Sequence, residues 1–319
     1  MQTAIDVIIP VWKPPAEFGT LLKSLDRQRT AVRRIHLVET VEESGRSVLG
    51  AAVPGGMSAE VVRHEVLRDS FDHAGARMIG AGAAEDADYL LFMTQDAVPA
   101  DDMLTEKLLE GIRSVPRCAA AYARQLPKDG ASAATRLTQE INYPGGSSVH
   151  RYQDLKEMGV RALYCSNVCA LYDSGIFRSL GGFSAPAVFN EDMVYAYTAL
   201  KAGYCIRYEA EAVVAHSHEY TAKQQFCRNF DLGVSQGDRW DVFVNARSEG
   251  EGIRYVGKML RALARGGSAA EIPVFLWRCA ARYAGYKFGK NYKRLPEALI
   301  MRWTQCPQYP GFRRRDSKN

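Results

Sequence analysis

Polar residues stand at the ends of several apolar runs in this chain, where a ligand could be held. Asp96 follows Tyr89 to Met93, which reads as a buried strand, so a carboxylate is delivered at that strand's carboxyl end. Ligands of open α/β sheets bind along this edge. A carboxylate there, near a phosphate ester, can hold a divalent cation that prefers oxygen ligands; the competing reading is that Asp96 caps a turn. Glu39 closes a second run, Arg34 to Thr40. Glu191 and Asp192 open MVYAYTALKAG, a helix whose first turn favours negative charge, so capping is their plain alternative. His216 and His218 follow the run Ile206 to Ala215.

The elements that must position these groups alternate strand with helix. Ile5 to Pro10 is a continuous apolar strand, and Phe18, Leu21, Leu22 and Leu25 recur at helical spacing. Val61 to Val66 alternates with charge and is expected at a sheet edge. A helix over Asp72 to Ala84 leads to the Tyr89 strand, and Pro99 with Asp101 and Asp102 opens the next helix. Further on, Ala119 to Ala123 and Leu163 to Tyr172 read as strands, Ala133 to Glu140 and Ile176 to Leu180 as helices, and Gly203 as a helix C-cap. Residues 127–160, rich in Gly, Ser, Pro and Asp, form a substrate-facing segment. This βαβ order predicts an α/β fold with a mostly parallel sheet. Neither GxGxxG nor a P-loop follows the first strand, against a dinucleotide dehydrogenase or an ordinary ATPase. A nucleotidyltransferase would need a glycine- and lysine- or arginine-rich loop where VIIPVWKPP stands.

With 319 residues, 47% of them hydrophobic, the chain can bury a large core. MQTAIDVIIPVW lacks a basic leader region and reads as a first strand, and no run approaches the ~20 apolar residues of a membrane span. Cys165 and Cys169 lack partners for a zinc site, so the seven cysteines are expected as free thiols in a reducing cytoplasm. The net charge of +5 is uneven: residues 253–319 carry 15 Lys and Arg against 3 acids. Two helices are expected there, Ile253 to Ala264 and Pro273 to Tyr286, with aromatics among the cations. Such segments can lie on an anionic membrane leaflet; the alternative is a packed appendage or a homo-oligomer contact. Arg313-Arg314-Arg315 reads as a solubilising tail. No nucleic-acid reading motif accompanies the charge.

VIIPVWKPP, LVET, FDHAGAR, the strand ending in TQDAVP, the NED helix and AVVAHSHEYTAKQQFCRNFDLG together resemble family 2 inverting glycosyltransferases, in the bacterial rhamnosyltransferase-like branch. The resemblance covers roughly residues 4–235. It implies a GT-A fold, a Rossmann-like nucleotide-binding α/β sandwich, over 1–235: a nucleotide-sugar half to about 115, an acceptor half from 116, and a basic helical extension over 236–319. It further implies a nucleotide-sugar donor, dTDP-L-rhamnose being favoured over a UDP-sugar, and a glycan or lipid-linked glycan acceptor. Mg²⁺ or Mn²⁺ would be held by Asp96, His216 and His218. Pro10, Trp12, Glu39, Arg77, Gln95 and Asp96 would face the donor, with Asp72 and His73 behind them. Asp192 would be the general base, with Glu191 beside it. The family's Asp-x-Asp reads Thr94-Gln95-Asp96 here, as in the TQD form of that branch; a degenerate, non-catalytic nucleotide-sugar binder is the alternative.

Overall fold

A computed structural model describes residues 3–244, 246 and 251–313. In chain order its elements are β1 (Ile5–Val11), α1 (Phe18–Asp26), β2 (Val32–Val41), β3 (Glu60–Leu67), α2 (His73–Ala83), β4 (Tyr89–Met93), β5 (Val98–Pro99), α3 (Leu104–Arg113) and β6 (Cys118–Leu126). There follow α4 (Ala133–Asn142), β7 (Ser148–His150), α5 (Leu155–Met158), β8 (Cys169–Asp173), α6 (Ser174–Ser179), α7 (Glu191–Lys201) and β9 (Cys205–Ala215). The chain closes with α8 (Ala222–Asp238), α9 (Trp240–Phe243), α10 (Glu251–Arg265), α11 (Ile272–Lys290), α12 (Glu297–Trp303) and α13 (Pro310–Arg313).

The strands form one sheet in the order β3-β2-β1-β4-β8-β6-β9-β5, with β7 also on β9. The block β3-β2-β1-β4 is parallel, β8 runs antiparallel to β4 and β6, and β6 and β9 are again parallel. β3 lies at the edge, as its charge alternation demands. Strand side chains alternate between faces, which divides the core in two. Ile5, Val7 and Ile9 pack with Phe18, Leu21 and Leu22 of α1 and Leu104 and Leu108 of α3. Ile8, Phe92 and Tyr172 face α2 and α7. A Cβ on Gly80 would lie 2.5 Å from Ile8 Cγ2, so glycine is what lets α2 rest this close to β1.

Two local expectations are corrected. Leu163 to Tyr172 is strand only from Cys169, because 159–163 coil into a 3₁₀ turn and 164–168 form a loop. The helix expected from Pro99 starts at Leu104, because Val98 and Pro99 pair with Ala215 and Val214 of β9.

The C-terminal helices are anchored by close backbone contact. Gly285 and Gly289, four apart on one face of α11, meet α8: a Cβ on either would approach Phe226 O to 2.2 Å or Phe230 O to 2.0 Å. Gly233 of α8 answers with 2.4 Å to Tyr286 O. The boundary expected at 235/236 therefore falls inside α8, and α10 and α11 beyond it pack onto α4 and α8. Tyr255, Met259 and Leu263 of α10 and Phe275 of α11 cover Ala134 and Leu137 of α4. All seven cysteines are free. No helix among the described residues is long and apolar enough to cross a membrane. Arg314 and Arg315 of the terminal arginine run lie outside the described residues.

Candidate active site

The pairing of β5 with β9 closes the distance between two strand ends. Val98 sits opposite Ala215, so Asp96, two residues earlier, meets His216, one residue later. Asp96 Oδ2 is 3.6 Å from His216 Nε2 and 3.1 Å from His218 Nε2. Ligand atoms of the three lie within 4.8 Å of one another. Hydrogen bonds settle the His216 tautomer. Gln125 donates its two amide hydrogens to Tyr143 Oη (2.6 Å) and Ser166 Oγ (2.9 Å), so its carbonyl must be what faces His216 Nδ1 at 2.9 Å. Nδ1 therefore carries the proton, and burial, against the pull of Asp96, keeps the ring neutral by lowering its pKa to about 4. Nε2, left with its lone pair, lies 3.6 Å from the Asp96 carboxylate oxygen, and an imidazole held by an outer hydrogen bond is the usual form of a metal ligand. The donor set fits a divalent ion.

The second group is built by the turn before α7. Asn190 takes the left-handed conformation (φ 61°), which asparagine tolerates, and its amide is tied to Ser235 Oγ of α8. Glu191 and Asp192 thereby open the helix facing the loop 164–168. Asp192 accepts from the backbone N–H groups of Asn167 (3.2 Å) and Met193 (2.7 Å). Burial, reinforced by the Glu191 charge, raises its pKa from 3.8 to about 7. Glu191 goes the other way: burial, the largest single influence, would raise it, but Arg77 at 3.2 Å, His73 and hydrogen bonds from the backbone and Asn167 together lower its pKa. Asn167 joins the two, giving its side-chain amide to Glu191 (3.1 Å) and accepting from Tyr172 Oη (2.7 Å). Since Gln125 holds Ser166 and His216, one stretch, Ser166-Asn167, connects the base to the metal-ligand group.

Other expected donor-facing residues have structural partners. Arg77 is buried against Glu191 and donates to His73 O (2.9 Å), while its Nε has no hydrogen-bond partner among the described residues. Asp72 caps α2 and His73 packs between Phe71 and Phe189. Gln95 clamps both backbone polar groups of Trp12 at 2.9 Å. It thus joins the ends of β4 and β1. Trp12 is flanked by Lys13 and Arg68 over its ring, and Pro10 lies opposite Val38 in β2. Glu39 is buried, held by Ser47 Oγ and Val48 N at 2.7 Å and by Arg63 at 2.6 Å; its visible role is to secure the loop after β2. Sequence reading missed Asn167, hidden in an apolar stretch, Gln125 at the end of β6, and Arg228. The last stacks over Phe189 at 4.7 Å and Tyr220 at 5.7 Å.

No protein-family model matches the chain. It is 35% identical over 306 residues to the O-antigen chain rhamnosyltransferase RfbN of Salmonella typhimurium, covering 96% of this chain and 95% of that protein. It is 34% identical over 240 residues to the O-antigen chain rhamnosyltransferase WbaN of Salmonella anatum, covering 75% and 76%. Among solved structures, the mannosyltransferase PcManGT from Pyrobaculum calidifontis, in complex with GDP-Man and Mn²⁺, superposes with a TM-score of 0.61 at 12% identity over 92% of this chain and 89% of that one. That likeness bears on the fold, which is GT-A. On its sequence likeness along nearly its whole length, this chain belongs to the glycosyltransferase family of the O-antigen chain rhamnosyltransferases.

Proposed function

We propose that this chain transfers L-rhamnose from dTDP-L-rhamnose to a glycan acceptor in cell-surface polysaccharide synthesis, by single displacement with inversion. The sugar is argued from the relatives' names. One observation carries the chemistry: a carboxylate that titrates near neutrality, Asp192, stands at one end of the Ser166-Asn167 stretch, and Asp96, His216 and His218 stand at the other. Asp192 takes the proton from the acceptor hydroxyl as that oxygen bonds to the anomeric carbon, and the bond to the diphosphate breaks with its electron pair leaving on the nucleotide. A divalent ion on Asp96, His216 and His218 would neutralise charge on the departing diphosphate. Two imidazoles and one carboxylate suit Mn²⁺ better than Mg²⁺, which prefers oxygen ligands. Glu191, locked by Arg77, positions Asp192 and raises its pKa.

The same reading places the enzyme at the inner face of a membrane. Arg254, Lys258, Arg261 and Arg265 are exposed on α10 at spacings of three and four, hence on one face. Nearby, α11 exposes Trp277 (68%), Tyr283 and Val274. Cations beside aromatic side chains suit an anionic leaflet.

The test is calorimetry of dTDP-, UDP- and GDP-sugars with and without Mn²⁺, followed by turnover. Mn²⁺-dependent binding and consumption of dTDP-L-rhamnose, lost on chelation, is expected. Preference for another nucleotide would overturn the donor, and no nucleotide binding would overturn the transferase reading.

A further inference from the structure

The turn that aims Asp192 rests on residues outside the sheet. Val188, just before it, is buried with Phe230 of α8 and with Ile300, Cys306 and Phe312 of the C-terminal helices, in a core distinct from the two on the sheet's faces. Asp231, Ser235 and Asp238 recur at i, i+4 and i+7 along α8 and so share one stripe. Its middle member holds the turn: Ser235 Oγ donates to Phe189 O at 2.7 Å and accepts from the Asn190 amide at 3.2 Å. Its ends hold the tail. Asp231 accepts from Thr304 Oγ1 (2.6 Å) and Gln305 N (2.8 Å), and Asp238 accepts from Tyr309 Oη (3.1 Å). Between these anchors Gln308 Nε2 donates to Phe71 O at 2.8 Å. The residues after Phe71 are laced to the same turn, since Ala187 N donates to Asp72 Oδ1 (3.2 Å) and His73 N donates to Ala187 O (3.3 Å).

A cavity of about 30 Å³ is lined by both Tyr309 and Glu191. Burial, with the charges of Asp231, Asp72 and Glu191, pushes the Cys306 thiol up to about 12, so the tail lies within electrostatic range of the carboxylate beside the base. Hydrogen bonds are directional, and these fix where the turn sits as well as how deeply it is buried. We propose that segment 304–309 is a positioning element of the transferase: through the α8 stripe and Phe71 it sets the turn 187–190 and with it the place of Asp192. The inference rests on the reading of Asp192 as the base and adds that the C-terminal helices hold that base in register. Asp192 must stand within hydrogen-bonding reach of the acceptor hydroxyl. A displacement of about 1 Å can cost about a hundredfold in rate, so loosening the anchors is read in kcat.

The experiment compares full-length wild type with Thr304→Val/Tyr309→Phe, which removes two anchoring hydroxyls and leaves Gln305 N on Asp231. Rates of nucleotide release are measured across pH, below the melting midpoint of each protein. In the double variant kcat is expected to fall about tenfold to a hundredfold, while dTDP-L-rhamnose Kd with Mn²⁺ stays as in wild type. The pH midpoint of kcat is expected to move down from about 7, because the burial and the Glu191 charge that raise Asp192 against the pull of Arg77 both depend on the turn. Thr304→Ser, which keeps the hydroxyl, is expected to restore rate and profile relative to Thr304→Val. Tyr309→Phe alone, which keeps its ring on Phe312, carries the same comparison if the double variant does not fold. A lower melting midpoint with wild-type kcat and pH profile in the folded protein, or a loss confined to KM, would overturn the proposal. Asp192→Asn is run alongside. Full turnover there would overturn the base reading and this inference with it, whereas an inactive Asp192→Asn beside fully active tail variants overturns the inference alone.

Discussion

Asp192→Asn separates catalysis from stability. The carboxyl titrates at about 7 against an ordinary 3.8, and at about 1.4 kcal/mol per unit the native fold disfavours its ionised form by about 4 kcal/mol. Asp192 is only partly covered, so solvent screening leaves about 1–3 kcal/mol to be measured. The native state holds this proton more tightly than the unfolded chain does. The group's favourable contribution is therefore complete below the unfolded value and is lost as pH rises through about 7. Asparagine keeps an oxygen for the Asn167 or Met193 N–H and removes the charge facing Glu191. The variant should be about 1–3 kcal/mol more stable than wild type at pH 8 and equal to it below pH 4. Turnover should fall about 100- to 10,000-fold, while wild-type rates drop about tenfold per pH unit below 7. Thermal melts across pH and initial rates of nucleotide release read both effects. A variant that keeps a tenth of wild-type turnover, or gains no stability at pH 8, would refute the assignment.

Arg77→Met strands the buried Glu191 carboxylate, and a loss of about 3–5 kcal/mol is expected by denaturant unfolding; a changed donor Kd with unchanged stability would instead return Arg77 to the diphosphate. Gly289→Ala drives a methyl into Phe230 O at 2.0 Å, so a cost of about 1–3 kcal/mol or more is expected in the melting midpoint. Wild-type stability in that variant would mean that α8 and α11 separate easily. Flotation with vesicles rich in anionic lipid should carry the protein upward at low salt and release it as salt rises, and Lys258→Glu/Arg261→Glu should abolish the effect. Equal recovery with neutral vesicles would sink the membrane reading.

Much of the fold was legible because its signals are local. Continuous apolar runs marked β1 and β4, helical spacing marked α1, and Asp72 was readable as the start of a helix. The groups that could hold a metal were legible as well, since a strand's end is visible in sequence and both Asp96 and His216 stand at one. Partnership was not. Arg77 and Glu191 each read as ligand-facing, yet pair with one another because α2 and α7 converge on the same core. Gln95 read as donor-facing and also clamps Trp12, a contact visible only once β1 and β4 are neighbours. Asn167 was taken for a strand residue because its neighbours are apolar, and the demands of Glu191 and Asp192 keep that segment a loop.

By itself, then, the sequence determined the alternation of elements, the residue types at the strand ends and the basic character of the tail, all of which follow from chain periodicity and charge. Tertiary structure alone decided which proton His216 carries, why Asp192 titrates near neutrality, and that segment 304–309 shares a stripe of α8 with the turn before Asp192. Each of these depends on burial or on a partner distant in the chain, and hydrogen bonds and electrostatic fields act through space without regard to sequence separation.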